Sequence, residues 1–189
     1  MIKKIKHLIE AIFVYMFFGI AKCIGLKLSR KLFSFIFKVI GPVIRPNRMA
    51  FKNMEIFSKN ISIFKKKEII NNMWSNYGMT FVEYVFLKRF RNRNSHIEIL
   101  GIDILKDIKK ENKPVVFVSG HFANFELMSM ELTKKNVKLA TIYRPLNNSF
   151  LNPFMEYLRK KYVCSNQIKK GIKGVRETIE YLKKNTVSR

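Results

Sequence analysis

The chain has 189 residues, 48% of them hydrophobic, which is enough for one ordinary domain and an additional membrane anchor. Its 37 Lys and Arg residues outnumber 13 acidic residues, and the formal net charge of +24 indicates a polyanionic neighbour such as an anionic bilayer, a phosphorylated substrate or nucleic acid. The two cysteines, Cys23 and Cys164, lie far apart without metal-ligand spacing, which excludes the disulfide-rich class and favours a reduced compartment.

The first apolar segment predicts a membrane anchor. Residues 11–21 carry no charge, and residues 8–28 are long enough to span a bilayer with their ends at the interface. An interfacial helix is an alternative, because basic residues flank the segment on both sides. A cleaved signal peptide fits the basic start, but Lys22 and Cys23 offer no small-x-small cleavage site. We favour a single anchor helix within residues 1–30.

Residues 31–95 are predicted to form a helical, membrane-proximal region. Residues 32–44 are apolar but too short and too interrupted to span a bilayer, so we expect a helix that lies on the membrane or packs on the domain. Apolar residues at spacings of three and four predict two further helices, over residues 47–58 and 66–90. Within the second, Trp74 is expected in the core and Glu83 on the surface.

From residue 96 onward the pattern alternates between strand and helix. Strands are predicted over residues 96–100, 115–118, 137–143 and 162–165. Helices are predicted over residues 102–110, from residue 122, and over residues 150–160 and 168–185. This alternation predicts an α/β sandwich, with His96 at the surface end of its strand. The last helix is basic and amphipathic, and its apolar face carries Ile172, Val175, Ile179 and Leu182.

The most informative segment follows the second strand. Residues 115–118 form a continuous apolar run that suits a strand covered on both faces, and Ser119 and Gly120 end it. His121 would then lie at the carboxyl end of a strand, where open α/β sheets bind ligands. If Glu126 lies one turn into the next helix, its carboxylate reaches the imidazole, fixes its tautomer and leaves the other nitrogen as a general base. The alternative is that His121 caps a turn and Glu126 is a solvated helix residue.

The sequence GHFANFE, residues 120–126, resembles the His-x4-Asp/Glu motif of the glycerolipid acyltransferase superfamily. It is most similar to the GHFGNWE form of the bacterial lipid A biosynthesis acyltransferases, the lauroyl and myristoyl transferases. Ala123 replaces a usual Gly, and Phe125 replaces a usual Trp. The resemblance continues at residues 142–145, which are similar to the YRP segment of the family, and at Arg159, which falls at its second arginine.

This resemblance implies an N-terminal membrane helix followed by an α/β sandwich domain of the glycerolipid acyltransferase type. The domains expected are an anchor over residues 1–30, a helical region over 31–95 and a partial acyltransferase domain over 96–189. In the resembled family a further strand leads into an acidic motif and a proline motif, which do not occur here. We therefore expect the domain to be incomplete at its C-terminus, and the activity of such a chain is open.

The resemblance also implies a reaction, with partners and a location. A fatty acyl chain would pass from an acyl carrier protein thioester to a hydroxyl of a phosphorylated glycolipid, a lipid A precursor, during lipopolysaccharide biosynthesis. His121 and Glu126 would act as the catalytic base, and no metal or other cofactor is expected. The chain would work at an anionic membrane, the bacterial inner membrane, with the catalytic domain on the cytoplasmic side.

Two arginines are candidates for binding the phosphates of the substrates. Arg144 ends a predicted strand on the same sheet edge as His121, and a guanidinium group binds phosphate in a bidentate manner. Arg159 is the second candidate. The alternatives are a salt bridge at the end of an element and, for Arg159 in its basic run, simple solvation.

A non-enzymatic function is the competing interpretation. The charge of +24 and the interspersed aromatic residues would also suit a basic membrane-peripheral or nucleic-acid-binding protein. The apolar N-terminal segment and the lack of a recognisable nucleic-acid-binding motif argue against this, so no nucleic-acid partner is expected.

Overall fold

Most of the chain is helical, and the computed structural model describes residues 1–57, 60–111 and 113–186. The helices within these residues are α1 (Ile2–Ile44), α2 (Arg48–Phe57), α3 (Ile63–Glu83), α4 (Leu87–Arg91), α5 (Ile102–Glu111), α6 (Glu126–Lys134), α7 (Asn152–Tyr162) and α8 (Ile172–Thr186). The strands are β1 (Ala140–Tyr143) and β2 (Asn166–Lys169). The chain divides into two compact units, one of residues 15–86 and the other of residues 1–14 with 87–189.

The long first helix is sharply bent at Gly25. This residue has φ of 77° and ψ of 166°, a backbone conformation that glycine adopts without steric cost. The Ser29 hydroxyl donates to the carbonyl oxygens of Ala21, at 2.9 Å, and Gly25, at 2.7 Å. The rings of Phe17 and Phe33 lie 5.7 Å apart, although sixteen residues of straight helix would span about 24 Å. The two parts of α1 therefore pack against each other around the bend.

Length and apolarity make α1 a candidate for crossing a membrane. The mean hydropathy of its most apolar 18-residue window is 1.8, and 17% of that window is buried within the protein. The predicted apolar N-terminal helix is therefore present, and it includes residues 32–44, which were expected to form a separate segment. The same properties occur in signal sequences and in core helices, so the anchor itself stays a prediction.

Aromatic side chains hold together the unit of residues 15–86. Ala21, Phe33 and Val82 are buried at its centre. The partly buried side chains packed around them are Phe17, Phe37, Phe81, Val85 and Phe86. Phe33 and Phe37 therefore pack in this unit, whereas Phe35 is 67% exposed. A cavity of about 250 Å³ in this unit is lined by Phe51, Ile70, Trp74 and their neighbours, and it includes none of the predicted site residues.

The surface position expected for Glu83 is wrong. Its side chain is only 9% exposed, and its Oε1 forms an ion pair with Arg30 Nε at 3.2 Å. The apolar stripe of α3 gave no sign of this, because the partner lies on α1, more than fifty residues earlier. Trp74 is half-buried, and its indole Nε1 donates to Asn47 Oδ1 at 2.7 Å.

Gly78 allows α3 to approach α1 closely, and replacing it tests this packing. A Cβ atom at residue 78 would collide with the backbone carbonyl of Phe33. We expect Gly78→Ala to lower the free energy of unfolding by about 1–3 kcal/mol, measured by denaturation in detergent micelles. Gly19→Ala is the matched control, because no atom lies near its added methyl group and alanine favours helix. Equal stability of both variants would contradict the observed contact.

The second unit is built around a small parallel β-α-β arrangement. β1 and β2 are hydrogen-bonded neighbours, with Tyr143 opposite Lys169, and α7 connects them. Three buried residues, Met130, Leu158 and Val163, form the interior beside α6 and α7. Cys164 is also buried, and its thiol contacts the Leu139 carbonyl oxygen at 3.0 Å.

Polar contacts join the helices of this unit at their ends. Arg91 Nη1 donates to Thr133 Oγ1 at 2.6 Å, and the Thr133 hydroxyl donates to the Val163 carbonyl oxygen at 2.7 Å. Asn148 Nδ2 donates to the His7 carbonyl oxygen at 2.8 Å and approaches Glu10 Oε2 at 3.2 Å. These bonds attach the beginning of α1 to the loop between β1 and α7.

The complete α/β sandwich of the prediction is not formed. The strands predicted at residues 96–100 and 115–118 are wrong, since neither segment has a strand partner among the described residues. Val116 and Val118 are 73% and 91% exposed. Apolar runs indicate a preference for burial, but a strand also needs a neighbour for its backbone hydrogen bonds, and that neighbour is not local in sequence. The structure is mostly helical, with one two-stranded parallel sheet.

Other boundaries shift for identifiable reasons. β2 begins at Asn166 rather than residue 162, because α7 continues to Tyr162. α8 was predicted from residue 168 but begins at Ile172, because residues 166–169 form β2, and it packs through Gly174 against the backbone of Lys169. Its predicted apolar face is left largely exposed at Ile172, Val175 and Ile179.

His96 is not the surface residue that the pattern predicted. Its side chain is 15% exposed and its ring centroid lies 4.9 Å from that of Phe90. Nε2 lies 3.9 Å from Glu131 Oε1. Burial, followed by the charge of Lys134, lowers the pKa of His96 against the opposing effect of Glu131, so the imidazole is predominantly neutral at pH 7.

Candidate active site

His121 lies on an exposed loop directly before α6. Residues 113–125 form neither helix nor strand, and the helix begins at Glu126 rather than at residue 122. The imidazole is open to solvent and packs against the Phe125 ring, with centroids 4.3 Å apart. His121 therefore has the accessibility that a base must have to reach a substrate hydroxyl.

A tight turn connects His121 with the helix. Ala123 has φ of 44°, in the left-handed region that favours glycine, and the Phe125 amide donates to the Ala123 carbonyl oxygen at 3.2 Å. This is the position at which the resembled motif has a glycine. Beyond this turn the His121 ring lies against Phe125, the residue directly before α6.

Glu126 and Arg159 form a buried ion pair. Arg159 Nε donates to Glu126 Oε1 at 2.7 Å, and the two side chains are 14% and 7% exposed. Glu126 is also the first residue of α6, where the helix dipole stabilises a negative charge. Solvation, the alternative interpretation of both side chains, is wrong.

The structure brings together Glu126 and Arg159 but not Glu126 and His121. In the described part of the chain, His121 has its ring contact with Phe125 and forms no hydrogen bond or ion pair with the Glu126 carboxylate. The pairing of His121 with Glu126 stays a prediction. So does the phosphate-binding role of Arg159, whose Nε is directed at Glu126.

Arg144 occupies the position expected of a phosphate ligand. It directly follows β1 and its side chain is exposed. No ion pair of Arg144 occurs within residues 1–57, 60–111 and 113–186, so its guanidinium group is accessible to an anionic ligand. Its role as a ligand of substrate phosphate stays a prediction.

A second polar cluster, centred on Glu156, was not predicted from the sequence. Glu156 Oε1 accepts hydrogen bonds from the Tyr143 hydroxyl at 2.6 Å and from Asn152 Nδ2 at 2.8 Å. Lys169 Nζ lies 3.4 Å from the same oxygen. The Arg159 guanidinium carbon lies 5.9 Å from the centre of the Tyr143 ring. The i, i+4 spacing of Asn152 and Glu156 on α7 is the one signal of this cluster in the sequence.

The hydrogen bonds of this cluster shift two pKa values in opposite directions. The bond from Tyr143 is the main cause of the lowered pKa of Glu156, and Asn152 and Lys169 lower it further against the effect of burial. Burial and then the bond to Glu156 raise the pKa of Tyr143 well above its ordinary value. The carboxylate therefore stays charged and the phenol stays a donor.

Glu156→Gln is expected to weaken the pH dependence of folding in acid. Because the pKa of Glu156 is lower in the folded state than its ordinary value of 4.5, the carboxylate stabilises the fold above that pH. This stabilisation is lost as the pH falls through the folded pKa. The variant should be about 1–2 kcal/mol less stable near pH 7, and the two stabilities should converge once the pH is below the folded-state pKa of Glu156. Urea unfolding from pH 7 into acid measures the difference in stability. Glu98→Gln, at an exposed carboxylate, is the control and should be as stable as the wild type at every pH.

Comparison with known protein families identifies the family of this chain. The sequence model of one family, bacterial lipid A biosynthesis acyltransferase, matches residues 2–188. The chain belongs to this family. No curated protein and no solved structure matches it significantly.

As a lipid A acyltransferase family member, the chain carries an acyltransferase domain of lipid A biosynthesis, which acts between an acyl donor and a lipid acceptor. The match includes both the GHFANFE segment and Arg144. No group of three or more His, Cys, Asp or Glu side chains that could hold a metal ion occurs among the residues that the structure describes. The family and the apolar α1 together favour association with a membrane.

Proposed function

We propose that this chain transfers a fatty acyl group from an acyl carrier protein thioester to a hydroxyl of a phosphorylated glycolipid precursor of lipid A. The family match over residues 2–188 is the observation that carries this proposal. The exposed His121, directly before α6, supports it, because a general base must be accessible to an incoming hydroxyl. The proposed location is the cytoplasmic side of the bacterial inner membrane.

His121 acts as the general base. Its free imidazole nitrogen takes the proton of the acceptor hydroxyl while the hydroxyl oxygen attacks the thioester carbonyl carbon. The tetrahedral intermediate collapses, the carbon–sulfur bond breaks and the proton passes to the departing thiolate. The products are the new ester and the free thiol of the carrier protein. The thioester is already activated, so no covalent enzyme intermediate is needed.

Glu126 stabilises the imidazolium that forms during attack. In the structure the His121 ring packs on Phe125, and the Glu126 carboxylate is paired with Arg159. The mechanism therefore requires the His121 ring to turn towards the carboxylate when substrate is bound. The short turn at Ala123 is the backbone segment that accommodates this change.

Arg144 binds a phosphate group of the substrate. Its side chain is exposed at the end of β1, and a guanidinium group offers paired donors to phosphate oxygens. The acceptor glycolipid and the phosphopantetheine arm of the carrier protein both supply such a group. Arg144→Ala should raise the KM of the phosphate-bearing substrate with a smaller effect on kcat, because the interaction exists before attack.

A reconstituted assay tests the proposed reaction. The full chain in detergent micelles is given labelled lauroyl or myristoyl carrier protein and a phosphorylated glycolipid precursor of lipid A, and acylated glycolipid is measured. Matched reactions with acyl-coenzyme A identify the donor. Product that depends on the carrier-bound donor supports the proposal. Absence of product together with salt-extractable binding to membranes or nucleic acid would favour the non-enzymatic alternative.

A further inference from the structure

The middle of the predicted membrane anchor is covered by protein. Phe18 and Ala21, which lie in the uncharged segment of α1, are buried, and the ring of Phe18 lies 4.9 Å from that of Phe81 on α3. Ala21 belongs to the buried core that also includes Val82 of α3. Among the described residues α1 is the one helix with the length and apolarity of a membrane span. Because α3 is too polar to span, it holds the middle of α1 outside the hydrocarbon core.

The second part of α1, residues 26–44, packs on the same helix. Ser34 Oγ and Ser75 Oγ share a hydrogen bond at 2.6 Å. Arg30 Nε lies 3.2 Å from Glu83 Oε1 at the end of α3. The parts of α1 before and after the bend at Gly25 are therefore both attached to α3, which places them on one side of a bilayer.

The beginning of α1 is attached to the protein as well. The His7 carbonyl oxygen accepts a hydrogen bond from Asn148, in the loop between β1 and α7. Only residues 84–86 separate α3 from α4, and three residues cannot cross a hydrocarbon core about 30 Å thick. No described helix after α3 qualifies as a span, so Asn148 is on the same side of the membrane as α3. All three attachments of α1 are therefore on one side.

An exposed apolar stripe runs along the second part of α1. Its members recur at spacings of three and four, so they share one face of the helix: Leu28, Leu32, Phe35, Val39 and Val43. All five are exposed, Phe35 by 67% and Val43 by 81%. Continuous apolar surface on a protein is a mark of an interaction site. The apolar stripe therefore indicates a partner outside the unit of residues 15–86.

Three lysines border this apolar stripe. Each of Lys27, Lys31 and Lys38 directly precedes a member of the stripe, so the three lie along one edge of it. Lys27 and Lys31 are exposed, and none of the three forms an ion pair in the described part of the chain. A helix whose apolar face is bordered by lysines suits the headgroup region of a bilayer, because the ammonium groups attract anionic lipids.

We propose that α1 does not cross the bilayer but lies along its surface, with the apolar stripe and its bordering lysines in the headgroup region of an anionic membrane. The partner of this surface is the phospholipid leaflet itself. The start of α1 is then on the same side of the membrane as His121. Insertion of the bend into the hydrocarbon core is disfavoured, because Lys22 and Lys27 lie next to Gly25 and charged groups are costly there. The inference is independent of the reaction proposed above.

Protease protection of tagged chains tests on which side each end lies. One version of the full chain carries an epitope tag before Met1, and another carries it after Arg189. Protease is added to spheroplasts, which expose the outer face of the inner membrane, and to inverted vesicles, which expose the cytoplasmic face. We expect both tags to be digested from the same face. Digestion from opposite faces would show that α1 crosses and would overturn the inference, whereas digestion of both from the outer face would contradict only the proposed cytoplasmic location.

Vesicle flotation tests the docking surface. The full chain is mixed with vesicles of phosphatidylglycerol and phosphatidylethanolamine, or of phosphatidylcholine alone, and the lipid concentration that binds half of the protein is measured. Lys27→Gln/Lys31→Gln should need about thirtyfold more of the anionic lipid and should match the wild type on the neutral lipid. Phe35→Ser should need about tenfold more of either lipid. Lys106→Gln/Lys110→Gln is the matched control, because it removes the same charge from α5, where each lysine pairs with an aspartate.

Two results would overturn the assignment of this surface. The first is equal binding of Lys27→Gln/Lys31→Gln and the control to the anionic vesicles. The second is a change of oligomeric state in Phe35→Ser, measured by light scattering, without a change in vesicle binding, because a second copy of the chain would then cover the stripe. All the substituted side chains are exposed, so the fold should be kept, and circular dichroism checks this. Acyl transfer in micelles should be unchanged in these variants, so either result would leave the proposed function in place.

Discussion

The His121→Ala variant is expected to transfer acyl chains about 10²- to 10⁴-fold more slowly than the wild-type chain, because it lacks the base that takes the hydroxyl proton. The loss should appear in kcat, with the KM of donor and acceptor almost unchanged, since the imidazole acts on the transition state. The side chain is exposed and packs on the half-buried Phe125 ring, so the free energy of unfolding should change little. Product formation from a labelled carrier-protein thioester measures the rate.

A second histidine provides the control for this experiment. His7 interacts with Asn148 through its backbone carbonyl, so His7→Ala keeps that bond and removes only an imidazole. We expect this variant to retain wild-type transfer. Unchanged activity of His121→Ala under conditions in which the wild type is active would remove His121 from the mechanism.

Replacing Arg159 with Met is expected to cost about 3–5 kcal/mol of stability. The substitution keeps most of the apolar stem but leaves the Glu126 carboxylate in a buried position without the guanidinium group that neutralises it. Breaking one half of a buried pair is far more damaging than replacing both partners with apolar side chains. Urea unfolding near pH 7 measures the loss.

Two further variants establish that the pair, and not the length of the side chain, is responsible. In Glu126→Leu/Arg159→Met both charges are gone, and most of the lost stability should return. Lys106→Met removes one partner of the exposed pair with Asp103 and should cost less than about 1 kcal/mol. A loss at Arg159→Met as small as that at Lys106→Met would show that the Glu126–Arg159 pair contributes little.

Helices were the predictable part of this fold. Helical patterning is a property of a single segment, so α2, α5 and α7 were located to within a few residues. The single helix predicted over residues 66–90 is instead divided into α3, which ends at Glu83, and α4, which begins at Leu87. The burial of Glu83 on α3 could not be predicted in this way, because its ion-pair partner, Arg30, lies on another helix. Apolar periodicity therefore predicts where helices form, but it does not predict which charged side chains become buried between them.

The sheet was less predictable, for a physical reason. Residues 115–118 have the composition of a buried strand, yet a strand is defined by its hydrogen-bonded neighbours, which can lie anywhere in the chain. The pair that does form, β1 with β2, is joined by one helix. The predicted strand over residues 137–143 contains β1, whereas the one predicted over residues 162–165 ends before β2 begins. Local composition therefore indicates whether a segment prefers to be buried, but it does not indicate which strand pairs with it.

For the candidate site, sequence reasoning identified side chains but not their partners. Residues His121, Glu126 and Arg144 were singled out from a motif and from strand ends. The contact of Glu126 with Arg159 spans 33 positions, and that of Tyr143 with Glu156 depends on how α7 packs on β1. Such contacts follow from tertiary packing, so no local pattern contains them.

The two cysteines give the protein a built-in reporter of local opening. Cys23 is exposed on α1, within the predicted anchor, and should react first with a membrane-permeant thiol reagent. Cys164 is buried beneath the Leu139 carbonyl, and burial raises the pKa of its thiol. Alkylation of Cys164 must therefore wait until β1 and the end of α7 separate. Mass spectrometry can follow the rate at which the second alkyl group is added. This rate measures how often the region around Cys164 opens, and no other label is needed.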